Sequence, residues 1–196
     1  MLGIFLDSET NGLNSQKHRI VEIAYQILDV YTGEVKDTFQ SVVSVTPEEW
    51  KRSDQVSLGV NGFTWDEVSQ GTAPSEVGAQ IQESLKKNGI KRGEAVFICQ
   101  NPSFDRVFFS QLIDPDVQEK LLLPYHWLDL ASMHWAEAMR KGASGQGKFP
   151  WETGYSKDKI ALAHRLPCEE QPHRAMNGVK HLLLCYKAVV GFPGNK

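Results

Sequence analysis

The stretch Ile4-Phe5-Leu6-Asp7-Ser8-Glu9-Thr10-Asn11-Gly12-Leu13 decides how the rest of the chain is read. Ile4, Phe5 and Leu6 have the character of a buried strand, and Asp7 and Glu9, two apart at its end, share one face. Two carboxylates side by side repel each other unless a cation lies between them, and oxygen-only ligands select a hard ion such as Mg²⁺ or Mn²⁺. An isolated Asp-x-Glu is more often two solvated acids at a strand end. The Thr-Asn-Gly-Leu that follows shifts the weight, because Gly12 lets backbone approach a ligand and Leu13 places an apolar side chain in a turn.

Two further stretches belong with this one. Asn101-Pro102-Ser103-Phe104-Asp105 follows a short apolar run, and His173-Arg174-Ala175-Met176-Asn177-Gly178 opens an apolar-striped segment near the end. Taken in order, the three resemble the motifs of the DEDDh 3′→5′ exonucleases, the superfamily of proofreading exonucleases, ribonuclease T and oligoribonuclease. Val60-Asn61-Gly62-Phe63-Thr64-Trp65-Asp66-Glu67-Val68 resembles the loop that lies between the first two motifs in that family. The resemblance runs from Leu2 to about Val190. It implies a ribonuclease H-like α/β fold, a mixed central sheet flanked by helices. It departs at one place: the acid expected five residues after His173 is Gly178.

A chain of 196 residues is one domain by length, here 1–196, and can bury a sizeable core. Its 41% hydrophobic and 23% charged content is that of an ordinary globular protein. A formal net charge of −3 argues against a generally basic nucleic-acid-coating protein, so any phosphate-binding surface must be local. Basic clusters at Lys17-His18-Arg19, Lys51-Arg52, Lys86-Lys87 with Lys91-Arg92, and Arg140-Lys141 are read first as solvated faces. Cys99, Cys168 and Cys185 form no C-x-x-C pair and suit a reducing compartment. Asp7 and Glu9 interrupt any signal-like or membrane-spanning opening, so a cytoplasmic location without membrane attachment is the default expectation.

Apolar patterning predicts strands over 2–7, 19–30 and 35–45, the last two joined by a Tyr31-Thr32-Gly33-Glu34 turn. An irregular stretch follows from Pro47 to about Pro74. Ser75 is expected to cap a helix carrying Val77, Ile81 and Leu85, 95–99 is a buried strand, and Asn101-Pro102 starts a helix through Leu112. Trp127-Leu128-Asp129 reads as the last strand, with a helix to about Met139. Residues 142–154 read as a loop, Ser156 as a helix cap, and Pro172 as the start of a final helix with Ala175, Val179, Leu182, Leu183, Tyr186 and Val190 on one stripe.

Phosphodiester hydrolysis needs a nucleophile, charge neutralisation at phosphorus and help for the leaving oxygen, and two divalent ions can supply all three. Asp7, Glu9 and Asp105 are the expected ligands of two Mg²⁺ or Mn²⁺ ions. His173 is the expected general base, since an imidazole titrates near working pH. His18, His126, His134, His164 and His181 carry no readable partner, and no His/Cys set has zinc-ligand spacing. Asp129 is read as structural. By resemblance, Asn101 and Phe104 support the loop and the bases. Leu13 would wedge beside a terminal base, and the backbone N–H groups of Thr10 and Gly12 would meet the 3′ end.

The implied activity is 3′→5′ removal of nucleoside 5′-monophosphates from single-stranded DNA or RNA ends. A polymerase or another nucleic-acid enzyme is the corresponding protein partner. Gly178 leaves three explanations open. Asn177 or a shifted helix completes the metal site, the nuclease is altered or weakened, or only a nucleic-acid or partner-binding module on the same fold remains. Asn177 lies about 100° around a helix from position 178, and its amide oxygen is an uncharged ligand.

Overall fold

The computed structural model describes residues 1–194. The chain runs β1 (Leu2–Thr10), β2 (Ile20–Asp29), β3 (Val35–Val42), α1 (Pro47–Trp50), α2 (Gln55–Asn61), α3 (Trp65–Ser69), α4 (Pro74–Lys87) and β4 (Ala95–Cys99). It continues through α5 (Pro102–Phe109), α6 (Pro115–Lys120), β5 (Trp127–Asp129), α7 (Leu130–Ala143), α8 (Pro150–Thr153), α9 (Lys157–Ala163) and α10 (Ala175–Val189).

The five strands form one mixed sheet in the order β3-β2-β1-β4-β5. The first three are joined as antiparallel neighbours by short returns, while β1–β4 and β4–β5 are parallel and therefore need helical crossovers. This is the ribonuclease H-like α/β arrangement.

Alternation along β1 divides the molecule. Ile4 and Leu6 face a core shared with Val77, Ile81, Leu85, Phe108 and Phe109 from α4 and α5. Phe5 faces the opposite core, with Leu130, Ile160, Val179, Leu182 and Cys185 from α7, α9 and α10. Because β1 is buried on both faces at the centre of the sheet, its polar end is carried to the middle of the molecule. A β-bulge between Glu9 and Thr10 ends the regular pairing with β2 there.

The elements that the sequence pattern missed are short. The stretch after Pro47 holds α1, α2 and α3, each of seven residues or fewer, and α6 and α8 lie inside segments read as connections. Their local signals are caps rather than periodicity: Thr46, Asp54, Thr64 and Asp114 each accept a hydrogen bond from a first-turn N–H. α4 begins at Pro74 after Ala73 rather than at a Ser75 cap, and α10 begins at Ala175, after the expected Pro172. Asp129 caps α7 by accepting from the N–H groups of Ala131 and Ser132. Cys99 and Cys185 are buried, Cys168 is exposed, and all three are free thiols. Among the described residues no helix is long and apolar enough to cross a membrane.

Candidate active site

Asp7, Ser8 and Glu9 come off the end of β1 and meet Gln100, Asn101, Phe104 and Asp105, where β4 hands over to α5. The two strands are parallel neighbours, so both chain segments leave the sheet on the same side. Lys157 and Asp158 from the start of α9, with Glu169 and His173 from the α9–α10 connection, close the remaining side. The result is an open cleft of about 370 Å³, a size suited to one nucleotide-sized group.

The end of β1 and the start of α5 are held from behind. Asp105 is buried, and its Oδ1 accepts a 2.8 Å hydrogen bond from the Ser8 hydroxyl. Thr10 is fixed by the Asn61 side chain, whose amide donates to the Thr10 carbonyl at 2.9 Å. The same turn holds the other wall, because the His173 N–H donates to the Val60 carbonyl at 3.1 Å. Arg174 pairs with Glu67 at 2.8 Å and lies over the Phe63 ring, its guanidinium carbon 3.9 Å from the ring centroid. The start of α10 is anchored to the sheet by the Ala175 N–H, which donates to the Glu22 carboxylate at 2.7 Å. The 60–68 segment is thus the brace between the β1 end and His173.

The electrostatics are those of acids short of positive charge. Burial first, and the Asp7 charge second, push the Glu9 carboxyl up to about 8. The same two causes push Asp105 up to about 7, against the Ser8 hydrogen bond. Burial also raises Asp7, with the Lys157 ammonium pulling the other way. Oxygen donors in this condition fit a hard divalent ion, which Glu9, Asp105 and Asp7 would hold.

Two features of the cleft were not legible as site features in the sequence. Lys157 Nζ lies 3.0 Å from Asp7 Oδ1 and 3.0 Å from Glu169 Oε2, and 3.5 Å from the Gly178 carbonyl. Burial disfavours its charge, but Asp7 and Glu169 outweigh that and hold the ammonium above its usual range. Glu169 is itself buried. Burial would raise its carboxyl, but the His181 ring, 3.8 Å away, and the Lys157 charge bring it down to about 2. Its loop is tied by the Glu169 N–H donating to Asp158 at 2.9 Å, and by the His181 ring meeting the Pro167 carbonyl at 2.9 Å. A lysine at the first position of a helix is opposed by the helix dipole, the one local signal that Lys157 is held there by acids.

Of the residues singled out from sequence, Asp7, Glu9, Asp105, His173, Leu13, Asn101 and Phe104 line this cleft. Thr10 lines an adjoining cavity of about 460 Å³, which Leu13 and Phe104 also border. Leu13 is 77% exposed and free to meet a ligand. Gly12 lines neither cavity: a Cβ there would strike the His18 imidazole, so this glycine serves the packing of its own turn. Asn101 precedes α5 and accepts from the Ser103 hydroxyl at 2.7 Å.

Asn177, one of the alternatives for completing the metal site, does not line the cleft with Asp7, Glu9 and Asp105. One step around α10 from Gly178, it lines a different cavity with Cys168, Glu170, Lys180 and Leu184. Gly178 is the α10 residue that faces Asp7.

The profile of the RNase_T family, described as "Exonuclease", matches residues 4–183. An oligoribonuclease from Tropheryma whipplei is 26% identical over 151 residues, covering 71% of this chain and 77% of that one. The crystal structure of cell-death related nuclease 4 superposes with a TM-score of 0.73 at 14% identity, over 95% of this chain and 62% of the other. E. coli exonuclease I in complex with a dT13 oligonucleotide gives 0.68 at 15% identity, over 96% of this chain and 40% of that one. The two structural likenesses show the fold, and the chain spans well under two thirds of exonuclease I. The family match covers nearly the whole sheet and every element that lines the cleft: this chain belongs to the ribonuclease T family of DEDDh exonucleases.

Proposed function

We propose that the protein is a metal-dependent 3′→5′ exonuclease that removes nucleoside 5′-monophosphates from single-stranded DNA or RNA ends. The observation that carries this reading is the meeting of Asp7, Glu9, Asp105 and His173 in one open cleft beside the exposed Leu13 and half-buried Phe104. A divalent ion held by the carboxylates would neutralise charge on a phosphodiester and polarise its oxygen. His173 then takes a proton from an attacking water at an imidazole nitrogen. Leu13 and Phe104 offer apolar surfaces on which a terminal base stacks, and the Ser8 hydroxyl keeps Asp105 aimed into the cleft. That exonuclease I binds a dT13 oligonucleotide supports a single-stranded substrate.

A second reading, a catalytically impaired module that binds a nucleic-acid end or a protein partner, is favoured by one specific observation. An acid is absent at Gly178, and Asp7 is already engaged by Lys157. Incubation of 5′-labelled DNA and RNA oligonucleotides with Mg²⁺ or Mn²⁺ separates the two. A ladder of shortened products that disappears with chelator and with Glu9→Gln establishes the exonuclease. Tight oligonucleotide binding without shortening under either metal replaces it with the binding module.

A further inference from the structure

The Lys157 ammonium lies among the carboxylates of the cleft. It is bound to Asp7 and Glu169 at 3.0 Å each, and both acids are largely enclosed. Its anchor is the sheet-end aspartate itself, and the α10 position beside that aspartate is a glycine whose Cβ would fall on the Asp7 carboxylate. One ligand is therefore missing, one is engaged, and one unit of positive charge is already built in. We propose that Lys157 replaces one of the two divalent ions, so that the cleft takes a single ion, on Glu9 and Asp105 with the free oxygen of Asp7. This rests on the exonuclease reading for the identity of the site, but it concerns the count of ions. A fixed ammonium supplies charge for a phosphate without the reach of a metal, which accepts additional oxygen ligands.

The count is measured directly by Mn²⁺ titration followed by electron paramagnetic resonance and calorimetry at about pH 8, where more of the carboxylates are ionised. The number that matters is the ions lost when Glu9→Gln and Asp105→Asn are combined. One is expected; none or two overturns the proposal. Lys157→Met is expected to tighten Mn²⁺ at least about tenfold, since a like charge beside the ligands is removed, or to add a second ion. An unchanged Mn²⁺ isotherm in a folded Lys157→Met protein also overturns it. Product formation is scored separately. One bound ion without shortening of oligonucleotides removes the exonuclease reading and leaves the ion count standing.

A different part of the molecule carries a second, independent inference. His134 on α7 is 3% exposed, and neither of its ring nitrogens has a hydrogen-bond partner. One turn on, Glu137 Oε2 lies 3.8 Å from His134 Nδ1 and 3.3 Å from His164 Nε2 at the end of α9. One ligand atom from each of the three residues falls within 4.8 Å of the others. The second oxygen of Glu137 is held by Lys141 at 2.6 Å, which fixes the carboxylate. Two imidazoles and a carboxylate are a donor set for Zn²⁺ or another first-row transition ion rather than for Mg²⁺.

We infer that His134, Glu137 and His164 form a transition-metal site that fastens α9 to α7, remote from the acids that α9 approaches at its other end. An unpaired buried imidazole is costly, and an ion would satisfy it. The test uses Co²⁺, whose visible absorption reports nitrogen and oxygen ligation, together with Zn²⁺ content by mass spectrometry. Both are measured in an Asp7→Ala, Glu9→Gln background that removes the acidic cleft. One equivalent of ion, a visible Co²⁺ band and a rise in melting temperature with Zn²⁺ are expected, all lost in a His164→Ala protein whose circular dichroism matches that of the parent. No binding in the parent, or equal binding in His164→Ala, overturns the site.

Discussion

Gly178 faces Asp7 so closely that an added Cβ would lie within the Asp7 carboxylate. The absence of a side chain at position 178 and the position of the Asp7 side chain are therefore one arrangement. Lys157 holds Asp7 there, so the carboxylate cannot simply swing aside.

If Asn177 is the working ligand, the sequence predicts little gain or a clash from Gly178→Asp; if the site is merely short of one carboxylate, it predicts restored charge beside the metals and higher activity at low Mg²⁺. The structure predicts the opposite of that gain. Gly178→Ala should gain up to about 1 kcal/mol of helix propensity, yet overpacking against Asp7 should cost about 1–3 kcal/mol. The net outcome is destabilisation, read by denaturant melts. Gly178→Asp should fare worse and yield no gain in nuclease activity unless Lys157→Ala accompanies it. A stable, more active Gly178→Asp single variant would show that Asp7 relocates freely.

Stability should depend on pH in a direction set by the raised acids. Glu9 rises from 4.5 to about 8 and Asp105 from 3.8 to about 7, each by burial first and then by the Asp7 charge. The metal-free fold therefore binds these protons more tightly than the unfolded chain. Their stabilisation is full below the unfolded values and is lost as pH rises through about 7 and 8. Glu169, brought down to about 2, acts oppositely, and its contribution is lost as pH falls from 4.5 toward that value. Metal-free protein should melt at a higher temperature near about pH 6 than near about pH 9. Saturating Mg²⁺ should narrow the gap, because the ion binds the ionised carboxylates. Parallel melting curves with and without metal at both pH values would count against a cation site on these acids.

His173 projects from a connection anchored by its backbone to Val60, so its side chain can be removed without releasing the loop. His173→Ala should slow turnover by about 10²–10⁴-fold, the scale of a lost general base, and flatten the acidic limb of the pH–rate profile. Mn²⁺ affinity should be nearly unchanged. A large loss of Mn²⁺ affinity would make His173 a ligand instead.

The sequence by itself determined the strands and the order of the elements that bring their ends together, and it named Asp7, Glu9, Asp105 and His173, which the fold gathers in one cleft. The strands were readable as short apolar runs with acids at their ends, and the site residues through the resemblance of three short motifs, in order, to those of the family. The tertiary structure decided what stands beside each of them. Lys157 and Glu169, in the α9 segment and the loop after it, belong to no motif, and only the fold sets one between Asp7 and the other. His134 and His164 are 30 residues apart, and no spacing rule announces that Glu137 lies between them. Asn177 and Gly178 are neighbours in sequence, yet the helix turns one toward a separate cavity and the other onto Asp7. Long-range electrostatics and the rotation of a helix about its axis are properties of the assembled core, and only the assembled core revealed them.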